Sequence, residues 1–549
     1  MKIDVIYTNG RIRTLSKDHP EAHRMGVHNG RIVGLDDDLD GINAGRIVDL
    51  NGAPILPGFN DAHHHLSLRG RRLSALDLRS QVAPTLSDLY EAVKKRAVSL
   101  EPGEWVQGVG YDQNKIGSHP TAEGLDKVSG GRPVVLEHVS GHMLVASTAA
   151  FERAGFTGRR NVPDTPGGEV QRTADGLAEG LLKENAMRLI YRVTRPISVN
   201  TVLHNIEIAS NQALSEGLTS ATDPGLGEAE EVGNSPADFA IYQQAHEQRK
   251  LRIRMTLMPY ITTLHYLGGF HDPEEWFGID LGTRTGFGNE WLRIGPTKIV
   301  ADGSLIGKSA AMRRPYDEEP TNKGFMRFEH QELIRIIVGA HKAGWSVAVH
   351  AIGDTAVDEA LDGFEEAQRQ LPRADARHRI EHFAVVSDKQ VERLVRLGVI
   401  PIPQGRFISE IGDGMIRALG HERSETCYRM RSLVDAGAEL PGSSDAPVVD
   451  GAPILGIHDM VNRRTANGQI FGAHEGITVE QAVRAYTYGS AYAVKEEQIK
   501  GKLTCGQLAD FVVLSDDLFQ VKPDKIASVK ATATIVGGAV EYSDGTFAE

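Results

Sequence analysis

The stretch Pro57-Gly58-Phe59-Asn60-Asp61-Ala62-His63-His64-His65 decides the fold. It follows a short apolar run (Ala53, Ile55, Leu56) that reads as the tail of a strand. Alternation along a strand predicts that Asp61, His63 and His65 point one way and His64 the other. Two imidazoles one residue apart on one strand face can hold a metal ion, and imidazole suits zinc and its first-row neighbours. A His-rich turn without a ligand is the competing reading of this stretch taken alone.

Upstream, residues 1–55 hold short strand-like runs broken by turns. Val5-Ile6-Tyr7 precedes Asn9-Gly10, and Met25-Gly26-Val27 precedes Asn29-Gly30, with Arg31-Ile32-Val33 next. Asn-Gly between apolar runs predicts hairpins. The other end has the same texture, in Phe511-Val512-Val513-Leu514 and Thr532-Ala533-Thr534-Ile535-Val536. The expectation is one composite β-sandwich domain from 1–55 together with 495–549.

Downstream of His65, a helical pattern from Leu86 to about Leu100 leads into a mixed region containing Gly110-Tyr111-Asp112-Gln113-Asn114 and Pro133-Val134-Val135-Leu136. Residues 76–190 read as an α+β insertion subdomain after the first barrel strand. From about residue 200 strands and helices alternate. Strands are expected at Leu218–Thr222, Ile253–Met258, Leu292–Val300, Ser346–His350, Arg379–Phe383, Val399–Ile402 and Ala438–Leu440, with helices such as Glu329–Ala343 and Ser387–Leu397 between them. With the strand ending at His65 this is the pattern of a (β/α)8 TIM-like barrel, built from 56–75 together with 191–494.

In such a barrel the reactive groups lie at the C-terminal strand ends. Those ends carry His63, His65, Lys298, His350, His382 and Asp445, a metal-ligand set in kind and in location. Composition narrows the function further. Charged residues at 24% and hydrophobic ones at 40% are globular values, and a net charge of −13 disfavours a nucleic-acid partner. No apolar run is long enough to span a bilayer, so no membrane partner is expected. The start Met1-Lys2-Ile3-Asp4 does not resemble a signal peptide, and two cysteines, Cys427 and Cys505, make no disulfide framework. A reduced, cytoplasmic protein is the expectation.

The ordered motifs resemble the amidohydrolase superfamily of metal-dependent hydrolases, and within it the branch of YtcJ and N-substituted formamide deformylase. The resemblance rests on Pro57-Gly58-Phe59 with His63-x-His65, Gly110-Tyr111-Asp112-Gln113, Lys298 with Ala301-Asp302-Gly303-Ser304, and Val349-His350-Ala351-Ile352-Gly353-Asp354. Arg379-Ile380-Glu381-His382, Gly442-Ser443-Ser444-Asp445-Ala446-Pro447 and Gly506-Gln507-Leu508-Ala509-Asp510 continue it. It implies that His63, His65 and Asp445 bind one metal, that His350 and His382 bind a second, and that Lys298 bridges them as N6-carboxylysine. An unmodified Lys298 paired to Asp302 beside one metal is the alternative. Two zinc ions are the expected cofactor, with manganese, cobalt or iron as substitutes.

The implied activity is hydrolysis of a non-peptide C–N bond in a small-molecule amide, such as an N-substituted formamide or N-acyl amine. A metal-activated hydroxide would attack, with Asp445 as the proton shuttle. The alternatives are a mononuclear deaminase or cyclic-amide hydrolase and, from another class, a non-catalytic regulatory or binding member. His142 is a second catalytic candidate. Tyr111, Asp112, Gln113, Gln404 and Arg313 are candidate substrate contacts, and Asp302 and Asp354 are candidates for orienting a ligand or capping a helix. Homodimerisation is an open expectation. Ser140 and Ala146 stand where related sequences tend to carry Asp and Asn, and His64 between the ligands is unusual. These departures fall in the expected substrate-facing shell and leave the metal chemistry intact.

Overall fold

A computed structural model describes residues 2–547 except 102, 140–142, 167, 195–196, 228–232, 268–276 and 318. The strand leading to the histidines is Phe59–Asp61 (β1). The parallel strands that follow are Leu218–Leu226 (β2), Arg254–Pro259 (β3), Leu292–Ile294 (β4), Thr297–Val300 (β5), Val347–Ala351 (β6), Arg379–His382 (β7) and Ile400–Ile402 (β8). They form two four-stranded sheets, ordered β4-β3-β2-β1 and β5-β6-β7-β8, with every pairing parallel. Parallel bridges continue the ladder, Tyr260 to Lys298 between the sheets and His64 to Ala446 beyond β1. All of β2 is buried, as befits a parallel strand covered on both faces. The fold is α/β and TIM-barrel-like.

Helices alternate with these strands: Asp238–Glu247 (α1), His330–Lys342 (α2), Asp354–Gln370 (α3), Asp388–Arg396 (α4), Arg406–Leu419 (α5) and Pro453–Asn462 (α6). Local chemistry sets their starts. The Gln390 side chain accepts the Ser387 N–H at 2.9 Å ahead of α4. Pro453 opens α6, where a missing N–H costs nothing.

Three expectations need correction. The run Leu292–Val300 is two strands, because Pro296 has no N–H to give the ladder and the chain passes there from one sheet to the other. Ala438–Leu440 forms no strand. The pairing partner of the histidine stretch lies further on, at Gly442–Ala446, through Ala62 N–H to Gly442 O, Asp445 N–H to His63 O and His65 N–H to Ala446 O, at 2.9, 2.7 and 2.9 Å. Asn9-Gly10 closes no hairpin: Lys2–Thr8 enters one sheet and Arg11–Arg13 another. Asn29-Gly30 does join two antiparallel strands, with φ of 51° and 73°.

The chain divides into two compact units, Met1–Leu66 with Ala209–Glu549, and Ser67–Ile208. In the first, a six-stranded sheet draws on both chain ends, with Phe511 opposite Pro57, Val512 opposite Leu56 and Val513 opposite Ile55. A four-stranded sheet from residues 2–49 shares its core, where Val5, Ile12, Val27, Ile55, Phe511 and Ile535 are buried and Tyr7 meets Phe511 edge-on at 5.0 Å. Each such side chain contributes roughly 1.5–3 kcal/mol of apolar burial. Gly58 is where the chain leaves this sheet for β1. A Cβ there would lie 2.3 Å from the Thr219 side chain, so the Pro-Gly-Phe motif is a packing requirement.

The second unit is wider than the 76–190 read from sequence. Its helix Leu66–Ser74 lies so close to the chain at Asn205 that a Cβ on Gly70 would sit 1.8 Å from the Asn205 carbonyl oxygen. It holds its own six-stranded sheet and the helix Leu86–Val98, which starts on a Thr85–Asp88 capping box. Among the described residues no helix is long and apolar enough to cross a membrane.

Candidate metal centre

The histidine stretch follows the C-terminal end of β1, Lys298 lies on β5, His350 on β6, and His382 ends β7. Parallel register sets Val300 beside His350 and Ala351 beside His382, and the Asp445 N–H bonds the His63 carbonyl. One end of the strand array therefore gathers residues up to 382 positions apart. Ligand atoms of His63, His382 and Asp445 all lie within 4.8 Å of one another, and all three residues are buried. Asp445 Oδ1 stands 3.2 Å from His63 Nε2 and 3.3 Å from His65 Nε2. Ring centroids are 5.4 Å apart for His63 and His65, 5.1 Å for His63 and His382, and 4.4 Å for His350 and His382. The backbone bends to achieve this: φ is 72° at His382, 43° at Phe383 and 61° at Asp445. Left-handed conformations of this kind cost about 1–3 kcal/mol each outside glycine and cluster at functional sites.

Behind the imidazoles stands a layer of fixed partners. His63 Nδ1 meets Glu381 Oε2 in a short contact. Glu381 is in turn gripped by Arg379, Nε to Oε1 at 2.5 Å and Nη2 to Oε2 at 2.9 Å, and Arg379 Nη2 also donates to Ala62 O at 2.6 Å. His382 Nδ1 donates to Gln404 Oε1 at 2.8 Å, while Gln404 Nε2 donates to Ile402 O and Ser443 Oγ. Such contacts set which ring nitrogen carries the proton and leave the other free to coordinate. Asp223 takes the Leu66 N–H and the Tyr242 hydroxyl and lies 3.7 Å from His65 Nδ1.

His64 turns away from the cluster, Nδ1 lying 3.2 Å from Asp61 Oδ2. Asp61 goes with it, against the alternation expected. β1 ends at Asp61, and its carboxylate folds back to accept the N–H of His63 and the N–H and hydroxyl of Ser444.

The charges are arranged to suit a cation. Burial, with His63 and Lys298 adding to it and Asp445 opposing, drives His382 down to about 3. Burial also holds His350 well below 6.5, so both rings are neutral. Burial opposes the charge on Asp445, yet contacts with His63 and His65 keep it well below the usual carboxylate range. Glu381 is likewise held anionic against burial by Arg379 and His63. Burial lowers Lys298 to about 8 despite the pull of Glu381 and Asp445, and among the described residues no carboxylate pairs with it. Asp302 is not its partner. Its carboxylate accepts N–H groups of Ala311, Ile352 and Gly353 at 2.9–3.0 Å, and burial raises it to about 7. It reaches His350 Nε2 only at 3.4 Å, while that nitrogen lies 3.1 Å from Gly303 O.

Other candidates are placed differently. Gln404 is fully buried and committed to His382, so it positions a ring rather than meeting a substrate. Arg313 is spent on an exposed pairing with Asp358, the solvated face that adjacent arginines usually form. Asp354 opens α3 and accepts the Arg313 N–H at 2.8 Å. Tyr111, Asp112 and Gln113 belong to the second unit. There Tyr111 is buried with its hydroxyl 3.1 Å from His119 Nδ1, and Gln113 Oε1 is 2.6 Å from His138 Nε2. Asp112 lies 4.0 Å from Lys115. His142 falls outside the described residues. Sequence reading missed Glu381, Arg379 and Asp223. Glu381 neighbours His382, and strict alternation would send it to the opposite face.

A TIM-barrel-like array of parallel strands with histidines, a lysine and an aspartate at one end is the arrangement of a candidate metal site. The chain belongs to the amidohydrolase family, whose model matches residues 46–542. It is 30% identical over 501 residues to the putative amidohydrolase YtcJ of Bacillus subtilis, covering 90% of each chain. It is 27% identical over 558 residues to the N-substituted formamide deformylase of Arthrobacter pascens, covering 98% of each. The crystal structure of an uncharacterized metal-dependent hydrolase from Pyrococcus horikoshii superposes with a TM-score of 0.77 at 28% identity, covering 94% of this chain and 99% of that one.

Proposed function

We propose that the protein hydrolyses a non-peptide C–N bond in a small amide, of the N-substituted formamide or N-acyl amine kind, at a divalent metal centre. The observation that carries this reading is the convergence of His63, His65 and His382 on Asp445. The donor set fits such an ion: neutral imidazoles at His350 and His382, a carboxylate held anionic, and a buried lysine with no carboxylate partner among the described residues. His63, His65 and Asp445 would hold one ion and His350 and His382 a second, with Lys298 between them as a carbamate and zinc the first choice of metal. A bound ion of this kind supplies a Lewis acid and lowers the pKa of water at the site.

The chain's own groups do the rest. Asp445 takes a proton from the water that adds to the substrate carbonyl and returns it to the departing nitrogen. Glu381 and Gln404 keep His63 and His382 in fixed tautomers throughout. A depressed ammonium pKa favours carbamate formation at Lys298, because only the neutral amine adds carbon dioxide.

A single-ion centre is the second reading. It is favoured by the three-residue cluster of His63, His382 and Asp445 and by the contact of His350 with Gly303 O. Metal analysis of purified protein separates the two, at about two ions per chain or about one. Asp445→Asn should retain metal and lose amide hydrolysis. Metal-free protein that stays inactive after zinc, manganese or cobalt is added would sink both readings. Electron density at Lys298 tests the carbamate.

A further inference from the structure

Cys427 and Tyr428 close against the chain that leaves β7. Val385 and Cys427 form an antiparallel bridge, and the Tyr428 N–H donates to Ala384 O at 2.9 Å. On the other side Arg463 is buried with its donors on backbone carbonyls. Nη2 reaches Cys427 O at 3.0 Å, Nη1 reaches Tyr428 O at 3.1 Å, and Nε reaches Phe471 O and Gly472 O at 2.8 Å each. Between these clamps Tyr428 adopts φ of 50°, a conformation an aromatic L-residue takes only when its surroundings impose it.

The strain delivers a particular ring to a particular place. Tyr428 packs edge-on to Phe407 at 6.0 Å and 82°, and Phe407 lies parallel to the His382 ring at 6.2 Å and 16°. The Tyr428 side chain is 1% exposed, yet among the described residues its hydroxyl has no hydrogen-bond partner. Buried phenols ordinarily find one. Tyr242 has Asp223, Tyr316 has Ala310 O and Tyr486 has Ser443 O. Burial first, then the charges of Cys427, Asp445 and Asp302, holds the hydroxyl protonated well above pH 10. It stays a donor at neutral pH, one ring removed from the His382 imidazole.

We propose that Tyr428 is a catalytic residue whose hydroxyl donates a hydrogen bond to the substrate carbonyl oxygen, with Arg463 as its positioning residue. The proposal rests on the amide-hydrolysis reading above. As water adds, the new C–O bond pushes the carbonyl electron pair onto oxygen. Tyr428 stabilises that charge without giving up its proton, and collapse returns the pair as the C–N bond breaks. The departing nitrogen takes its proton from Asp445, so Tyr428 ends the cycle unchanged.

Tyr428→Phe tests this cleanly, since the lost hydroxyl bonds nothing among the described residues. With 4-nitroacetanilide and N-butylformamide as probes, kcat should fall about 10²–10³-fold, the loss typical of one oxyanion donor. KM should stay within about twofold, and metal content and thermal midpoint should match the wild type. With the thioamide analogue of the anilide the loss should shrink, because sulfur accepts hydrogen bonds poorly. Wild-type kcat in Tyr428→Phe, or equal losses on amide and thioamide, would overturn the role of Tyr428. A metal-loaded wild type that hydrolyses neither probe overturns the amide-hydrolysis reading and this proposal with it.

Discussion

Glu381→Gln is the sharpest probe of how the centre is held. The carboxylate is fully buried, accepts from His63 Nδ1 and forms a two-point ion pair with Arg379, itself fully buried. Gln keeps an oxygen for His63 but leaves the Arg379 guanidinium without a counter-charge. Removing one partner of a buried pair costs about 3–5 kcal/mol, and the polar amide places this case near the lower figure. A second loss is separate: carboxylates behind metal-ligating histidines account for about 10–100-fold in metal affinity, or roughly 1.4–2.7 kcal/mol. Thermal or urea unfolding of chelator-stripped protein reads the first, and zinc competition against a chromogenic chelator reads the second. Adding Arg379→Met should recover much of the stability, since the orphan charge is gone. It should not recover zinc affinity, because His63 Nδ1 still lacks an anionic partner. Recovery of affinity in the double variant, or wild-type stability in Glu381→Gln, would refute the reasoning.

The remaining predictions are briefer. His64→Val should leave metal content unchanged and cost about 1 kcal/mol, since Asp61 keeps its bonds to Ser444 and the backbone, whereas His63→Ala should lower metal content; metal analysis and thermal melts decide this. His378 and His341 share a buried hydrogen bond of 2.7 Å, and burial first, then the neighbouring His341 and Arg373, holds His378 well below 6.5. The unfolded chain therefore binds the extra proton. The stabilisation is complete above about pH 6.5 and is lost as pH falls below it, by about 1.4 kcal/mol per pH unit per group until the folded value is reached. His378→Gln should flatten that slope between pH 6.5 and 5, read as unfolding free energy against pH. Arg254→Ala should lower the thermal midpoint markedly, because buried Asp510 loses a bidentate partner at 2.6 and 3.0 Å.

What the sequence determined by itself was local and periodic. The strand–helix alternation after residue 200, the Asn29-Gly30 turn and the ordered motifs of the family all depend on neighbours in the chain, so a single sequence expresses them. The gathering of His63, His65, His382 and Asp445 was legible because parallel strands bring their C-terminal ends together by geometry alone. Tertiary structure decided the rest. The break of the fourth strand at Pro296 and the true partner segment Gly442–Ala446 depend on which backbone groups find bonds across the fold. Glu381 behind His63, Gln404 behind His382 and the Tyr428 ring against Phe407 depend on contacts between segments far apart in the chain, and His382, Tyr428 and Asp445 take left-handed conformations that break the expected alternation. No alternation rule predicts a reversal that only distant clamps such as Arg463 can stabilise.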